Sequence, residues 1–200
     1  MYKLLITGFD PFGHYQINPS WEVVKTLPDK IGTFSLTKLM LPNIYGLETR
    51  MLLEKAQEIE LDIILMLGMD SGTTKVHIDT VAINIQDALM EDNMGRRPWN
   101  KPIIENGPAA YFATIPAHEL VQQLQKEGLH VHLGYSSGGY VCNDVFYSVA
   151  HKFNNTNTKF GFIHIPLLPQ MVWDEKEALP LEQSLKIVTR IIELLGEMVE

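Results

Sequence analysis

The stretch Asp62-Ile63-Ile64-Leu65-Met66-Leu67-Gly68 indicates the fold class most clearly. Its apolar run, Ile63–Leu67, is five residues long, which is typical of a strand buried on both faces of a parallel sheet. No apolar run of the chain is longer, and five residues fall far short of the roughly 20 that a bilayer-spanning helix needs. We therefore predict a central buried strand and no membrane span.

On either side of this strand, apolar segments of strand length alternate with segments of helical periodicity. The further predicted strands are Leu4–Gly8, Phe34–Leu41, Val76–Ile85, Tyr111–Ile115, His130–Tyr135 and Phe160–Ile165. The predicted helices begin at Asn18-Pro19, cover 47–59, run from Pro116 to Gly128, cover Val141–Phe153, and start again at Leu181. This alternation predicts an α/β fold around a mostly parallel sheet, with the site at the carboxyl ends of the strands. We expect residues 1–200 to form one domain.

The charge balance excludes several classes of partner. Sixteen Lys and Arg against 24 Asp and Glu leave a net charge of −8, so nucleic acid and anionic membranes would be repelled. The single cysteine, Cys142, forms no internal disulfide, which agrees with a reducing cytoplasm. The N-terminal residues read as a strand and lack the pattern of a signal peptide.

Tyr135–Asn143 is the first candidate for a reactive segment, because it joins a predicted strand to a predicted helix. Cys142 would then lie in the first helical turn, where free N–H groups and the helix dipole favour thiolate over thiol. Two alternatives stay open. Cys142 could be a small buried apolar residue, and Ser136 matches the G-x-S-x-G pattern of serine hydrolases.

Three other segments could contribute to a site. His164 lies near the end of a predicted strand and could serve as a base, although a core histidine fits the pattern equally well. Asp79 could orient that base or be an ordinary strand-end aspartate. Phe9 and Phe12, in the turn Gly8-Phe-Asp-Pro-Phe-Gly13, could line an apolar pocket or cover the core.

Taken together, these segments resemble the pyroglutamyl peptidases, the C15 family of cysteine peptidases. The matching pieces occur in family order and are Gly8–Gly13, Asn18–Ser20, Val81–Asn84, Gly107–Thr114, Tyr140–Asn143 and Gly161–His164. The resemblance implies a three-layer α/β/α sandwich and removal of N-terminal pyroglutamate from peptides, without metal or organic cofactor. It also implies a homo-oligomer, since tetramers are common in the family, and the composition and the lone cysteine predict a cytoplasmic location.

The resemblance also suggests roles for individual residues. Cys142 matches the nucleophile and His164 the general base, and Asp79 stands where the family has a glutamate. The residues that match substrate-binding positions are Phe9, Phe12, Asn18, Met69 and Val141.

Three departures from the family lie in or around the expected site. Asp79 is one methylene shorter than glutamate, so it can orient His164 only if its backbone lies closer. Leu89 replaces an arginine near the oxyanion, and Met69 replaces a glutamine on the substrate side. The sequence therefore predicts a cysteine peptidase of pyroglutamyl type. The alternatives are a divergent or inactive member with another acyl substrate or a ligand-binding role, and a serine hydrolase using Ser136.

Overall fold

A seven-stranded sheet forms the centre of the computed structural model, which describes residues 1–174 and 178–199. The sheet has the order β2-β3-β1-β4-β9-β5-β8. Its strands are β1 (Tyr2–Phe9), β2 (Lys30–Ile31), β3 (Phe34–Leu41), β4 (Ile63–Asp70), β5 (Val76–Asp79), β8 (Val131–Gly134) and β9 (Lys159–Pro166). Most neighbouring strands are parallel, and the pairs β2–β3 and β5–β9 are antiparallel.

Helices cover both faces of this sheet. They are α1 (Pro19–Thr26), α2 (Leu47–Gln57), α3 (Ala117–Lys126), α4 (Val141–Phe153) and α5 (Leu181–Val199), with a short 3₁₀ turn at Pro169–Met171. Alternate residues of β4 separate two cores: Ile63 and Leu65 pack with α1, α3 and α5, whereas Ile64 and Met66 pack with α2 and α4. The predicted three-layer α/β/α arrangement is therefore confirmed. No described helix is both long and apolar enough to cross a membrane.

The predicted strand Val76–Ile85 is wrong in one respect, because the chain leaves the main sheet at Thr80. The backbone N–H and the hydroxyl of Thr80 both donate to the carbonyl of Gly134, at 2.8 and 2.9 Å, so the end of β5 is fastened to the end of β8. The next residues form β6 (Val81–Ile83), which pairs with β7 (Ala110–Phe112) in a separate two-stranded sheet. The strand predicted at Tyr111–Ile115 is shorter than expected: it is β7, which begins one residue earlier, at Ala110, and ends at Phe112.

Candidate active site

Cys142 is the second residue of α4, as the sequence predicts. The N–H groups of Asn143 and Asp144 donate to the carbonyl of Tyr140, while those of Val141 and Cys142 donate to no acceptor within residues 1–174 and 178–199. Unpaired N–H groups at a helix N-terminus carry partial positive charge. They can stabilise a thiolate and an oxyanion that forms next to it.

The thiol packs against the backbone of β4. Cys142 is only 8% exposed, and a Cβ added at Gly68 would lie 2.7 Å from its Sγ and 2.9 Å from the ring of Phe162. No side chain larger than hydrogen fits at that position without displacing the thiol. Gly68 therefore allows the nucleophile candidate to approach the carboxyl end of the sheet.

His164 and Asp79 meet on the same face of the sheet as Cys142. His164 Nδ1 lies 2.8 Å from Asp79 Oδ2, and both side chains are buried. The short carboxylate reaches the imidazole because β5 and β9 are direct antiparallel neighbours, with Asp79 opposite Phe162. From this position the side chain of Asp79 is long enough to bond to His164. The Cys142 thiol packs over Gly68, and Gly68 pairs with His164 on the neighbouring strand β9, so the thiol lies close to the strand position of the imidazole.

The pKa of His164 is set by opposing influences. Burial of the ring favours the neutral form and lowers the pKa, but the charge and the hydrogen bond of Asp79, and then the contact with Cys142, outweigh it. The result is a pKa well above the usual 6.5 of histidine. The imidazolium form is therefore stabilised next to the thiol, as an ion pair with a thiolate requires.

A cleft of about 510 Å³ lies beside the start of α4. Among the predicted substrate contacts, Phe12 and Met69 line it, and so does Leu89, which is 92% exposed. The other lining residues are His14, Tyr15, Asp70, Ser71, Asp87, Met90, Gly138, Gly139 and Tyr140. Within the described part of the chain, this lining contains two carboxylates and no lysine or arginine.

Phe9, Asn18 and Val141 lie beneath the cleft and do not line it. Phe9 and Val141 belong to the core between the sheet and α4. Asn18 is buried as the N-cap of α1: its Oδ1 accepts from the N–H and hydroxyl of Ser20, and its Nδ2 donates to the carbonyl of Asp10. The structure thus uses Asn18 to hold the turn that presents Phe12. Direct contact of these three residues with substrate stays a prediction.

Ser136 lacks the surroundings of an activated serine. It is exposed, and its hydroxyl accepts the N–H of Gly138 at 3.1 Å. Helix α4 begins only at Val141, so no sharp strand-to-helix turn is formed at Ser136. Among the described residues, no hydrogen bond joins it to a histidine.

Two supporting residues were not identified from the sequence. Ser137 donates a hydrogen bond of 2.6 Å to Asp79 Oδ2. Asn143 Oδ1 accepts the N–H of Ile83, and its Nδ2 donates to the carbonyls of Ile83 and Ile85. Asn143 could have been suspected from its place beside Cys142, but Ser137 has no signal beyond being one of several loop serines.

Comparisons with known proteins agree with this geometry. A family model described as "Pyroglutamyl peptidase" matches residues 2–197. The "Pyrrolidone-carboxylate peptidase 1" of Caldanaerobacter subterraneus subsp. tengcongensis is 43% identical over 176 residues, which are 86% of this chain and 86% of that protein. The "Pyrrolidone-carboxylate peptidase" of Bacillus thuringiensis (strain Al Hakam) is 41% identical, over 85% of this chain and 80% of that protein.

Solved structures show the same relationship. The pyroglutamyl peptidase I of Bacillus amyloliquefaciens has a TM-score of 0.93 at 32% identity, covering 98% of each chain. The pyrrolidone carboxyl peptidase of Thermococcus litoralis has a TM-score of 0.94 at 31% identity, covering 100% of this chain and 95% of that one. Because sequence, fold and family model agree over nearly the whole length, this chain belongs to the pyroglutamyl peptidase family.

Proposed function

We propose that this protein is a cysteine peptidase that removes an N-terminal pyroglutamyl residue from peptides. Cys142 is the nucleophile, His164 the general base and acid, and Asp79 the residue that orients His164. The single observation that carries this proposal is the 2.8 Å hydrogen bond between His164 and the buried carboxylate of Asp79, formed beside Gly68, the register partner of His164 against which the helix-terminal thiol of Cys142 packs. Family membership supports the choice of substrate.

The first half of the reaction forms a thioester. The Cys142 thiolate attacks the carbonyl carbon that joins pyroglutamate to the next residue, and the carbonyl oxygen becomes an oxyanion. The free N–H of Cys142, together with that of Val141, supplies donors at the place where this charge develops. The imidazolium of His164 then gives its proton to the leaving amine nitrogen, and the carbon–nitrogen bond breaks.

The second half of the reaction restores the enzyme. His164, now neutral, takes a proton from a water molecule that attacks the thioester carbonyl. The carbon–sulfur bond breaks, pyroglutamate leaves, and the thiolate–imidazolium pair is formed again. Asp79 keeps Nδ1 of the ring hydrogen-bonded throughout, so that Nε2 stays directed at the thiol.

The cleft offers an apolar surface for an uncharged lactam ring. Phe12 is half-buried there, with its ring 5.8 Å from that of Tyr140. Apolar pockets with few polar groups suit a small neutral ring.

A second candidate function is the hydrolysis of another acyl group. Met69 and Leu89, which replace a glutamine and an arginine of the family, both line the cleft. A binding site that lacks such polar groups discriminates less strongly in favour of a substrate that would hydrogen-bond to them.

A substrate panel separates the two candidates. Coumarin amides of pyroglutamate, proline and glutamine are compared by kcat/KM, with Cys142→Ser as the blank. Clear preference for the pyroglutamyl amide supports the first proposal. A higher value for the prolyl or glutaminyl amide, or no turnover of any of the three, contradicts it.

We further propose that residues 1–200 act as one peptidase domain in the cytoplasm and assemble as a homo-oligomer. The lone cysteine supports a reducing compartment, and the large apolar side chains Phe112 and Tyr135, 74% and 71% exposed, support a subunit contact. Light scattering at micromolar concentration tests the assembly. A mass of one chain at every concentration would contradict it.

A further inference from the structure

Two hydrogen bonds hold the carboxylate of Asp79. Its Oδ2 accepts from His164 Nδ1 at 2.8 Å and from the hydroxyl of Ser137 at 2.6 Å. Its Oδ1 is buried and has no hydrogen-bond partner among the described residues. Asp79 itself is 0% exposed. Both hydrogen bonds that the structure records for this buried carboxylate are therefore made to Oδ2, and Ser137 donates one of them.

Gly134 makes room for this arrangement. A Cβ added there would lie 1.8 Å from Asp79 Oδ1, a distance at which two atoms cannot coexist. The carboxylate thus occupies the space that a side chain at the end of β8 would fill. An aspartate whose Oδ1 accepts no hydrogen bond has few polar contacts that fix its torsion angle, and a hydroxyl that donates to Oδ2 supplies one.

Ser137 also links two parts of the site. It belongs to the connection between β8 and α4, the helix that begins one residue before Cys142. Its bond to Asp79 ties this connection to β5, and Asp79 in turn holds the imidazole on β9. The hydroxyl is buried with its residue 8% exposed, so water does not readily replace it.

We propose that Ser137 is a positioning residue of the active site, the outer member of the series Ser137–Asp79–His164–Cys142. This inference rests on the proposed function, and it extends that function by one residue. Ser137 holds the carboxylate of Asp79 toward His164. The carboxylate then supports the imidazolium, which supports the thiolate.

The first test is alkylation of Cys142 by iodoacetamide at pH 7, which needs no substrate. Because Cys142 is the only cysteine, the rate reports its thiolate alone. Ser137→Ala should slow alkylation by about 3-fold or more, since a carboxylate that is no longer held toward His164 supports the imidazolium less well. Ser137→Thr, which retains the hydroxyl, should restore most of the rate. Ser136→Ala is the matched control, one residue away and exposed, and should leave the rate unchanged.

The second test is turnover of a pyroglutamyl amide. Ser137→Ala should lower kcat by about 10-fold with KM within 2-fold, because orientation of the base matters for the chemical step. In an Asp79→Asn background, the same change should alter kcat by less than 2-fold, since no carboxylate remains to be held. Both backgrounds are checked for native folding by circular dichroism and thermal unfolding.

The outcomes separate the two proposals. A parent protein that shows the Ser137-dependent alkylation but no turnover supports the role of Ser137 and contradicts the proposed function. If Ser137→Ala changes neither turnover nor the alkylation rate, the proposed peptidase function is retained and the proposed role of Ser137 is overturned. Equal losses of kcat in both backgrounds also overturn it, because the effect would not pass through Asp79.

Discussion

At the scale of single residues, the cleft at the start of α4 is short of positive charge. Among the described residues Leu89 lines it and no lysine or arginine does, and the two nearby arginines bond elsewhere: Arg96 Nη1 donates to the carbonyl of Tyr45, and Arg97 Nε to that of Ala88. The proposed mechanism accordingly assigns stabilisation of the oxyanion to backbone N–H groups at the start of α4.

Leu89→Arg should raise the kcat for a pyroglutamyl amide by about 10-fold or more, because each donor at an oxyanion contributes on the order of 10²-fold to rate. KM should change little, since the charge exists mainly in the transition state. Leu89→Met is the control, as it alters shape without adding charge. A lower kcat in Leu89→Arg, with Leu89→Met unchanged, would indicate that the cleft is adapted to another acyl group.

The raised pKa of His164 predicts how kcat/KM depends on pH. An imidazolium that persists above pH 6.5 remains able to protonate the leaving amine until the pH rises through the folded-state pKa of His164, so the alkaline limb of kcat/KM should lie above pH 6.5. In Asp79→Asn, the charge that raises the pKa of His164 is removed, whereas the burial that lowers this pKa remains. The limb should then move to lower pH. Coincident limbs in the two proteins would contradict this account.

At the scale of secondary-structure elements, α2 and α4 meet through two buried carboxyl groups. Glu48 of α2 and Asp144 of α4 are both buried, and Gln86 Nε2 donates to Asp144 Oδ1 at 2.6 Å. Burial, followed by the hydrogen bond and charge of Asp144, raises the pKa of Glu48 far above its usual 4.5. The protonated form of Glu48 is therefore favoured in the folded protein.

This raised pKa predicts a pH-dependent stability. The folded state retains a proton that the unfolded chain releases above about pH 4.5, so the contribution of Glu48 to stability declines as the pH rises above that value. Glu48→Gln should be more stable than the parent at pH 8 by about 1 kcal/mol, or about 2–4 °C in Tm. The gain should shrink toward pH 4. Glu54→Gln, exposed on the same helix, is the control. An equal or negative change at both pH values would argue against a protonated Glu48.

The strands show what local sequence can predict and what it cannot. The bounds of β3, Phe34–Leu41, agree with prediction because the segment opens with alternating apolar residues, Phe34 and Leu36, and lies between the breakers Gly32 and Pro42. The break at Thr80 was missed because it depends on a carbonyl 54 residues away in sequence, that of Gly134. Apolar periodicity reports which face is buried and carries no information on such distant partners.

The same limit applies to the candidate site. Cys142 could be singled out because a glycine-containing turn before a helix is a local pattern. The meeting of Asp79 with His164 depends on β5 running antiparallel to β9 in an otherwise mostly parallel sheet. Strand order and direction follow from the packing of the whole chain, so the role of Ser137, which depends on Asp79, could not be read from local sequence.

At the scale of the whole molecule, the net charge of −8 and the carboxylates of the cleft both repel negatively charged substrates. Peptides with an acidic residue after pyroglutamate should be poorer substrates than peptides with a basic one, and the kcat/KM ratio should approach unity at high salt. Asp70→Asn, at the cleft, should reduce the ratio more than Asp29→Asn, on the exposed surface. A ratio that is independent of salt and of both substitutions would show that charge does not select the substrate.

The central claim is that Cys142 performs nucleophilic attack, and turnover of a pyroglutamyl coumarin amide by three purified proteins tests it most directly. The account predicts that the parent hydrolyses the amide, that Cys142→Ser loses at least about 10³-fold in kcat, and that Ser136→Ala retains most of it. Near-parental turnover by Cys142→Ser, or complete loss in Ser136→Ala, would contradict the account.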